Sequence, residues 1–432
     1  MRILLVKPRW FVHGGQYRYL ENVRFTPLSL GILAALSDGH EVKIADGDWQ
    51  TIPSGDRFDL VGITVTTFTS ERAYNLTREF KKQGAKVILG GVHPSILPEE
   101  CLDHADSVVV GEAEYVWKDV LRDAEKGGLE RVYRSERPTD MNDVPFPRRD
   151  LLEEPSWFTC VQATRGCPNS CRYCYLPSTP WRQYRKRAVE LLVEEIRSLR
   201  QKIFFFVDDN LFADREYAAR LFKAIIPLKK SWAIQGPTTI GDDNELLDVM
   251  AEAGCFNVQV GFQSFNKNSL KWASVDHNRI EKYRDLVKKL HSRKIIVTGF
   301  FMFGFDTDGP DSFDATVELA KTLDIDDANL YILTPYPGTP IYAKFQREGR
   351  LLENTRRTQF GWSHAVFHPT QMTYEELEQG VQRAYDMLYP FFRKKLKKVI
   401  FKRFTWVLKH PRLIAILVGG NLRHARVRIE PD

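Results

Sequence analysis

Short apolar runs alternate with amphipathic stretches along most of this chain. Residues 3–6 form the first run and stop at Lys7-Pro8, as a buried parallel strand ends. Residues 27–36 carry apolar positions at helical spacing and halt at Asp38-Gly39, a helix C-terminal signal. Residues 42–45, 60–65, 86–89 and 107–110 read as further strands, and 71–84 as an amphipathic helix ending in Gly. Strands alternating with helices predict a doubly wound parallel sheet, with its ligand at the carboxyl ends of the strands. The Thr-rich Thr64-Val65-Thr66-Thr67 and the pair Gly90-Gly91 both fall there.

Residues 138–155 are rich in proline and charge and read as a linker. Beyond it the alternation resumes. Strands are predicted at 157–164, 202–207, 231–235, 257–261, 295–303 and 328–333, with a helix at 189–200. Runs apolar on both faces fit parallel strands covered on both sides, and six such units predict a partial (β/α)6 barrel. Its strand ends are polar or tightly turned: Asp208-Asp209-Asn210, Gln263-Ser264, Gly304 to Asp306, and Thr334-Pro335. In such barrels the carboxyl ends of the strands carry function. Asn210 and Asp306 read as turn or helix-cap residues. Thr373 followed by Glu376 predicts a capping box opening a helix that runs to about Leu388, before Pro390.

The fold class expected is therefore α/β: an N-terminal doubly wound sheet (1–130), a linker (131–156), a partial barrel (157–345) and a small helical, basic C-terminal region (346–432). A length of 432 residues and 43% hydrophobic content support more than one core. The net charge of +6 is concentrated late: residues 391–412 hold nine Lys and Arg and no acid, interleaved with aromatic residues. That pattern suits a basic amphipathic helix on an anionic membrane surface, or a helix covering the barrel with its lysines in water. No recognised nucleic-acid module accompanies the charge. The first apolar run is too short for a signal peptide, and no window reaches the ~18 apolar residues a membrane span needs, so a cytoplasmic location is expected.

The chemistry concentrates at Cys167, Cys171 and Cys174, a C-x3-C-x2-C spacing. Six cysteines in all is no disulfide framework, and Cys160 reads as a small buried residue. A tetrahedral zinc site wants four protein ligands, yet no histidine lies between His104 and His277. A [4Fe–4S] cluster tolerates three, leaving one iron open for a small molecule.

This loop, with its Arg165-Gly166-Cys167-Pro168 entry and Tyr173 before the last cysteine, resembles the radical S-adenosylmethionine (SAM) superfamily. The resemblance implies a cluster on Cys167, Cys171 and Cys174. It also implies SAM contacts from Tyr173, Asp208, Asp209, Gln263, Ser264, Gly304 and Pro335. Gln263 stands where the family often has Glu. The N-terminal half resembles the cobalamin-binding domain that precedes many radical SAM domains, through residues 61–67, Leu89-Gly90-Gly91-Val92-His93 and Val110-Gly111-Glu112-Ala113-Glu114. It implies cobalamin contacts from Thr64, Thr66, Gly90, Gly91 and His93. Phe11 stands two residues before His13 where the cobalt-ligating motif has Asp, so His13 is not read as a cobalt ligand.

Together these parts resemble the group containing the anaerobic magnesium-protoporphyrin ester cyclase and the hopanoid and bacteriochlorophyll methylases. The group implies reductive SAM cleavage to a 5′-deoxyadenosyl radical. It further implies cobalamin-dependent methylation of an unactivated carbon on a hydrophobic tetrapyrrole or isoprenoid-like substrate, with flavodoxin or ferredoxin as electron donor. Oxidative cyclisation or another radical rearrangement is the second reading. A non-catalytic cobalamin or cluster carrier, or a redox sensor, is the reading from another class.

Overall fold

The computed structural model describes residues 1–9, 25–48, 50–53, 55–153, 157–179 and 181–402, with side chains to residue 395. His13 and residues 403–432 lie outside the described residues. The N-terminal sheet comprises β1 (Arg2–Lys7), β2 (Glu41–Asp46), β3 (Leu60–Thr64), β4 (Lys86–Gly90), β5 (Ser107–Val110) and β6 (Val132–Arg134). All pair in parallel, in the order β2-β1-β3-β4-β5-β6. The chain reverses its winding at β1 and β3, where ligands of such sheets bind.

Alternate residues of β1 serve opposite faces, as strand geometry dictates. Leu4 and Val6 join the core under α2 (Ser70–Lys82), whereas Ile3 and Leu5 join the core under α1 (Leu28–Ala35) and α3 (Trp117–Glu125). The sixth strand falls where the sequence predicts linker. Val132-Tyr133-Arg134 is too short to register as a period, and only its parallel pairing with β5 makes it a strand.

The second sheet holds β7 (Phe158–Val161), β10 (Ile203–Phe206), β11 (Ser231–Gly236), β12 (Cys255–Gln263), β13 (Ile296–Phe303) and β14 (Asp327–Ile332). They lie in parallel in chain order, the open barrel the sequence predicts. Its outer face packs a continuous aromatic and aliphatic core that includes Phe206, Trp232, Phe262, Phe301 and Ile332. Between β7 and β10, β8 (Thr164–Arg165) pairs antiparallel with β9 (Arg185–Lys186). On the inner face Leu28 of α1 packs with Phe158, Cys160, Phe205 and Ala233, and Phe25 meets Phe205 edge-on at 5.2 Å. One helix thus covers the first sheet and plugs the mouth of the second.

The capping box at Thr373 forms: Thr373 Oγ1 accepts from Glu376 N at 3.1 Å and Glu376 Oε2 from Thr373 N at 2.7 Å. The helix does not stop at Pro390, however, but runs from Tyr374 to Lys402 with that proline inside. Leu388, Tyr389 and Phe392 are buried around it, and this packing outweighs the backbone bond that proline forfeits. No described helix is long and apolar enough to cross a membrane.

Candidate functional site: two cradles on one cavity

The cysteine loop is the turn of the β8–β9 ribbon. Gly166 enters it at φ +84°, and a Cβ there would overlap the Gln183 carbonyl, so glycine is required. Cys167 N donates to Arg182 O at 3.2 Å, Cys174 N to Cys171 O at 3.1 Å, and Arg172 N to Ala273 O at 3.0 Å. The three thiols are half-buried and unbridged. Burial pushes Cys171 up to about 11 and Cys174 up to about 12, so neither sheds its proton near neutrality without a cation to take its charge. Among the described residues no three His, Cys, Asp or Glu side chains converge on a single ion position. A cubane does not ask for that convergence, because each thiolate takes a different iron at a different corner.

The polar ends of the barrel strands divide into supports and cavity groups. Asp208 is buried; its Oδ1 accepts from Ala163 N at 3.1 Å, from Thr164 Oγ1 at 2.7 Å and from Thr164 N, fixing the start of the ribbon. Desolvation pushes its carboxyl up to about 7, against those hydrogen bonds. Asp209 lines the cavity and accepts from Gly166 N at 2.8 Å. Gln263 sits at φ +64° just after a register shift against β13, a costly conformation of the kind concentrated at functional sites. Ser264 Oγ accepts from Asn266 N at 3.0 Å and shapes the following turn.

Gly304, at φ +102°, faces Leu377 and Phe367 of the C-terminal region, while Pro335 is buried and Tyr173 packs against the barrel core. Asn210 and Asp306 both sit in turns, as the sequence suggests, with Ala213 N donating to Asn210 O at 3.2 Å and Asp308 N to Phe305 O at 2.9 Å, but neither side chain caps a helix. Asn210 makes no cap bond, and its amide faces Cys167 instead. Asp306 pairs with Arg350 at 2.8 Å and with Lys344, and accepts from Trp272 Nε1 at 2.8 Å.

A cavity of about 630 Å³ opens where the two sheets face each other. From the N-terminal side Gly62, Thr64, Gly90, Gly91 and Gly111 line it; from the barrel side Arg165, Tyr175, Trp181, Phe205 and Asp209 do. Gly91 is at φ +102°, and a Cβ would meet Val65 O at 2.9 Å. At Gly90 a Cβ would meet nothing closer than Val109 at 3.8 Å, so its absence widens the cavity itself. Two expected contacts lie off this wall. Thr66 bonds Thr69 at the start of α2, and buried His93 binds Tyr74 at 2.9 Å and Glu100 at 3.2 Å.

An ionic clamp crosses the cavity rim. Arg165, next to Gly166, pairs with Glu112 at 3.2 Å and Glu114 at 2.7 Å, and Arg185 pairs with Glu112 at 2.6 Å. Burial pushes the Glu112 carboxyl up, but the Arg185 bond and the Arg165 charge outweigh it and leave it below the usual range. These four residues went unassigned in the sequence. Two carboxylates just past a strand end, with arginines flanking a cysteine loop, were the signal available.

The radical SAM superfamily model matches residues 161–320, and the B12 binding domain model matches residues 25–121. Bacteriochlorophyllide d C-12(1)-methyltransferase from Chlorobaculum tepidum is 30% identical over 398 residues, covering 88% of this chain and 86% of that protein. The chain belongs to the cobalamin-dependent radical SAM methyltransferase family. A second relative from the same organism, bacteriochlorophyllide d C-8(2)-methyltransferase, is 28% identical and covers 74% of this chain and 76% of its own length. The radical SAM methyltransferase TsrM from Kitasatospora setae, solved with cobalamin and a [4Fe–4S] cluster bound, superposes with a TM-score of 0.67 at 18% identity. It covers 89% of this chain and 85% of its own. The family's cofactors are the [4Fe–4S] cluster, SAM and cobalamin. The half-buried thiols fit the first, and the glycine-lined face of the cavity fits the last.

Proposed function

We propose that this chain methylates an unactivated carbon of a large, hydrophobic, tetrapyrrole-type molecule. One observation carries the reading: the glycine cradle of the first sheet and the residues flanking the cysteine loop, Arg165, Tyr175 and Leu176, line a single cavity. A reaction that needs a radical source and a methyl donor at one carbon requires that sharing. When bound, the cluster with SAM supplies hydrogen abstraction from carbon, and cobalamin supplies the methyl group.

The chain's own work is binding, orientation and exclusion of water. Cys167, Cys171 and Cys174 would hold three irons. Asp209, Gln263 and Ser264 would hold SAM, with Tyr173, Asp208, Gly304 and Pro335 as supports. Thr64, Gly90 and Gly91 would line the cobalamin site, with Thr66 and His93 bracing the helices behind it. Tyr175, Leu176, Trp181 and Phe205 wall the cavity with aromatic and apolar surface, which lowers the water content at a radical centre.

A planar conjugated substrate suits the inner barrel face, where Phe300 meets Tyr331 at 5.6 Å and Tyr331 meets Trp362 at 5.6 Å. The names of the relatives support a chlorin-type acceptor. A one-electron donor such as flavodoxin or ferredoxin, and membrane-surface contact through the basic, aromatic residues 391–412, complete the proposal. The division into sheet domain, linker, barrel (157–345) and C-terminal region (346–432) belongs to it as well, with the first boundary moved from 130 to 134 so that β6 stays with its sheet.

The test uses the full chain, loaded anaerobically with iron, sulfide and cobalamin. It receives trideuteromethyl SAM, a low-potential reductant and a bacteriochlorophyllide. The expected result is a product three mass units heavier per methyl group than with ordinary SAM, with 5′-deoxyadenosine formed alongside. Product carrying no label, with 5′-deoxyadenosine still released, would mean cyclisation or oxidation.

A further inference from the structure

Asn210 follows the two aspartates that end β10, and Asp208 and Asp209 tie that corner to the backbone of Ala163, Thr164 and Gly166. The corner is therefore fixed relative to Cys167, the next residue. In that fixed frame Asn210 Nδ2 lies 3.6 Å from Cys167 Sγ, within hydrogen-bond distance for sulfur. Its Oδ1 is buried and has no hydrogen-bond partner among the described residues. A buried amide oxygen left unsatisfied is disfavoured unless the other end of the amide or an absent ligand needs it. The orientation of the amide follows from chemistry. An iron-bound thiolate has no proton and can only accept, so the group facing it is the NH2.

Hydrogen bonds to cluster sulfur withdraw charge from it and favour the more negative, reduced cluster, which raises the reduction potential. We propose that Asn210 is a positioning and tuning residue of the cluster, its amide donating to the Cys167 thiolate and raising the cluster's potential. The assignment rests on the cluster reading given above. The donor is an uncharged amide, so the effect does not depend on pH.

The test compares wild type, Asn210→Leu and Asn210→Asp as anaerobically reconstituted full-length proteins, by potentiometric titration followed by electron paramagnetic resonance (EPR). Leucine keeps the volume and removes the donor; aspartate removes the donor and adds a charge. At unchanged iron and sulfide content, the midpoint should fall in Asn210→Leu and fall further in Asn210→Asp. Full clusters that titrate at the wild-type midpoint in both variants would overturn the assignment. Should neither variant retain a cluster, wild-type protein with 15N in its asparagine amides decides. A 15N coupling to the reduced cluster in pulsed EPR supports the bond, and its absence overturns it. Wild-type protein that takes up no iron at all would instead contradict the functional reading, and this assignment with it.

Discussion

In the N-terminal sheet both faces lie under helices, and Gly62, Gly90 and Gly111 are among the positions that meet the cavity. In the barrel sheet only the outer face has a continuous helix-covered core, and the strand ends carry Asp208, Asp209 and Gln263. Both sheets are parallel and present the same edge to one cavity. The difference is in how each makes room. The first sheet forms its cradle by omitting side chains, and the two carboxylates it brings to the rim, Glu112 and Glu114, are paired with arginines of the barrel side. The second places charged and strained groups around a loop, and it must stabilise each of them.

If the halves are separable in this way, removing the cluster should leave the cradle intact. Cys171→Ala should abolish iron retention and 5′-deoxyadenosine release, the largest effect expected, while cobalamin affinity measured by absorbance titration stays at the wild-type value. Joint loss of both cofactors would break the comparison. Next in size is the clamp. Arg165→Met leaves Glu114 buried without its cation, at an expected cost of about 3–5 kcal/mol in denaturant unfolding. Gly90→Leu fills the cradle without backbone strain and should weaken cobalamin by roughly tenfold, about 1.4 kcal/mol, with iron content unchanged. Gln263→Gly relieves a left-handed conformation and removes an amide. Stability should change by no more than about 1 kcal/mol, while SAM affinity by calorimetry falls.

The carboxylates sharpen the contrast through pH. Glu112 is depressed on folding, so its stabilisation is complete above the ordinary glutamate value of ~4.3 and is lost only as pH falls through its lower folded value. Asp208 is raised to about 7, so between the unfolded aspartate value of ~3.9 and 7 the folded chain holds a proton the unfolded chain lacks. Stability should therefore fall as pH rises across that window. Asp208→Asn, which keeps the Oδ1 acceptor, should remove that slope and no other.

The strands, the parallel class and the cysteine loop were legible because each is local: an apolar run, a helix signal, an eight-residue cysteine spacing. Gly90 and Gly91 were legible as small residues at a strand end, though only the packing distinguishes them. A Cβ at Gly91 meets backbone, whereas one at Gly90 makes only an ordinary contact with Val109 at 3.8 Å. The clamp was not legible, since Glu112 and Arg185 are 73 residues apart and meet only when the two sheets face each other. The double use of α1, as cover for one sheet and plug for the other, depends on the same docking. β6 was too short to carry a period, and the persistence of the last helix past Pro390 reflects packing that a propensity scale omits.

EPR of the full chain, carrying Co(II) cobalamin and a reduced cluster, tests the shared cavity most directly. Two paramagnets on facing walls should couple, giving split or broadened signals in place of the spectra each gives alone. A simple sum of the two isolated spectra would contradict the account.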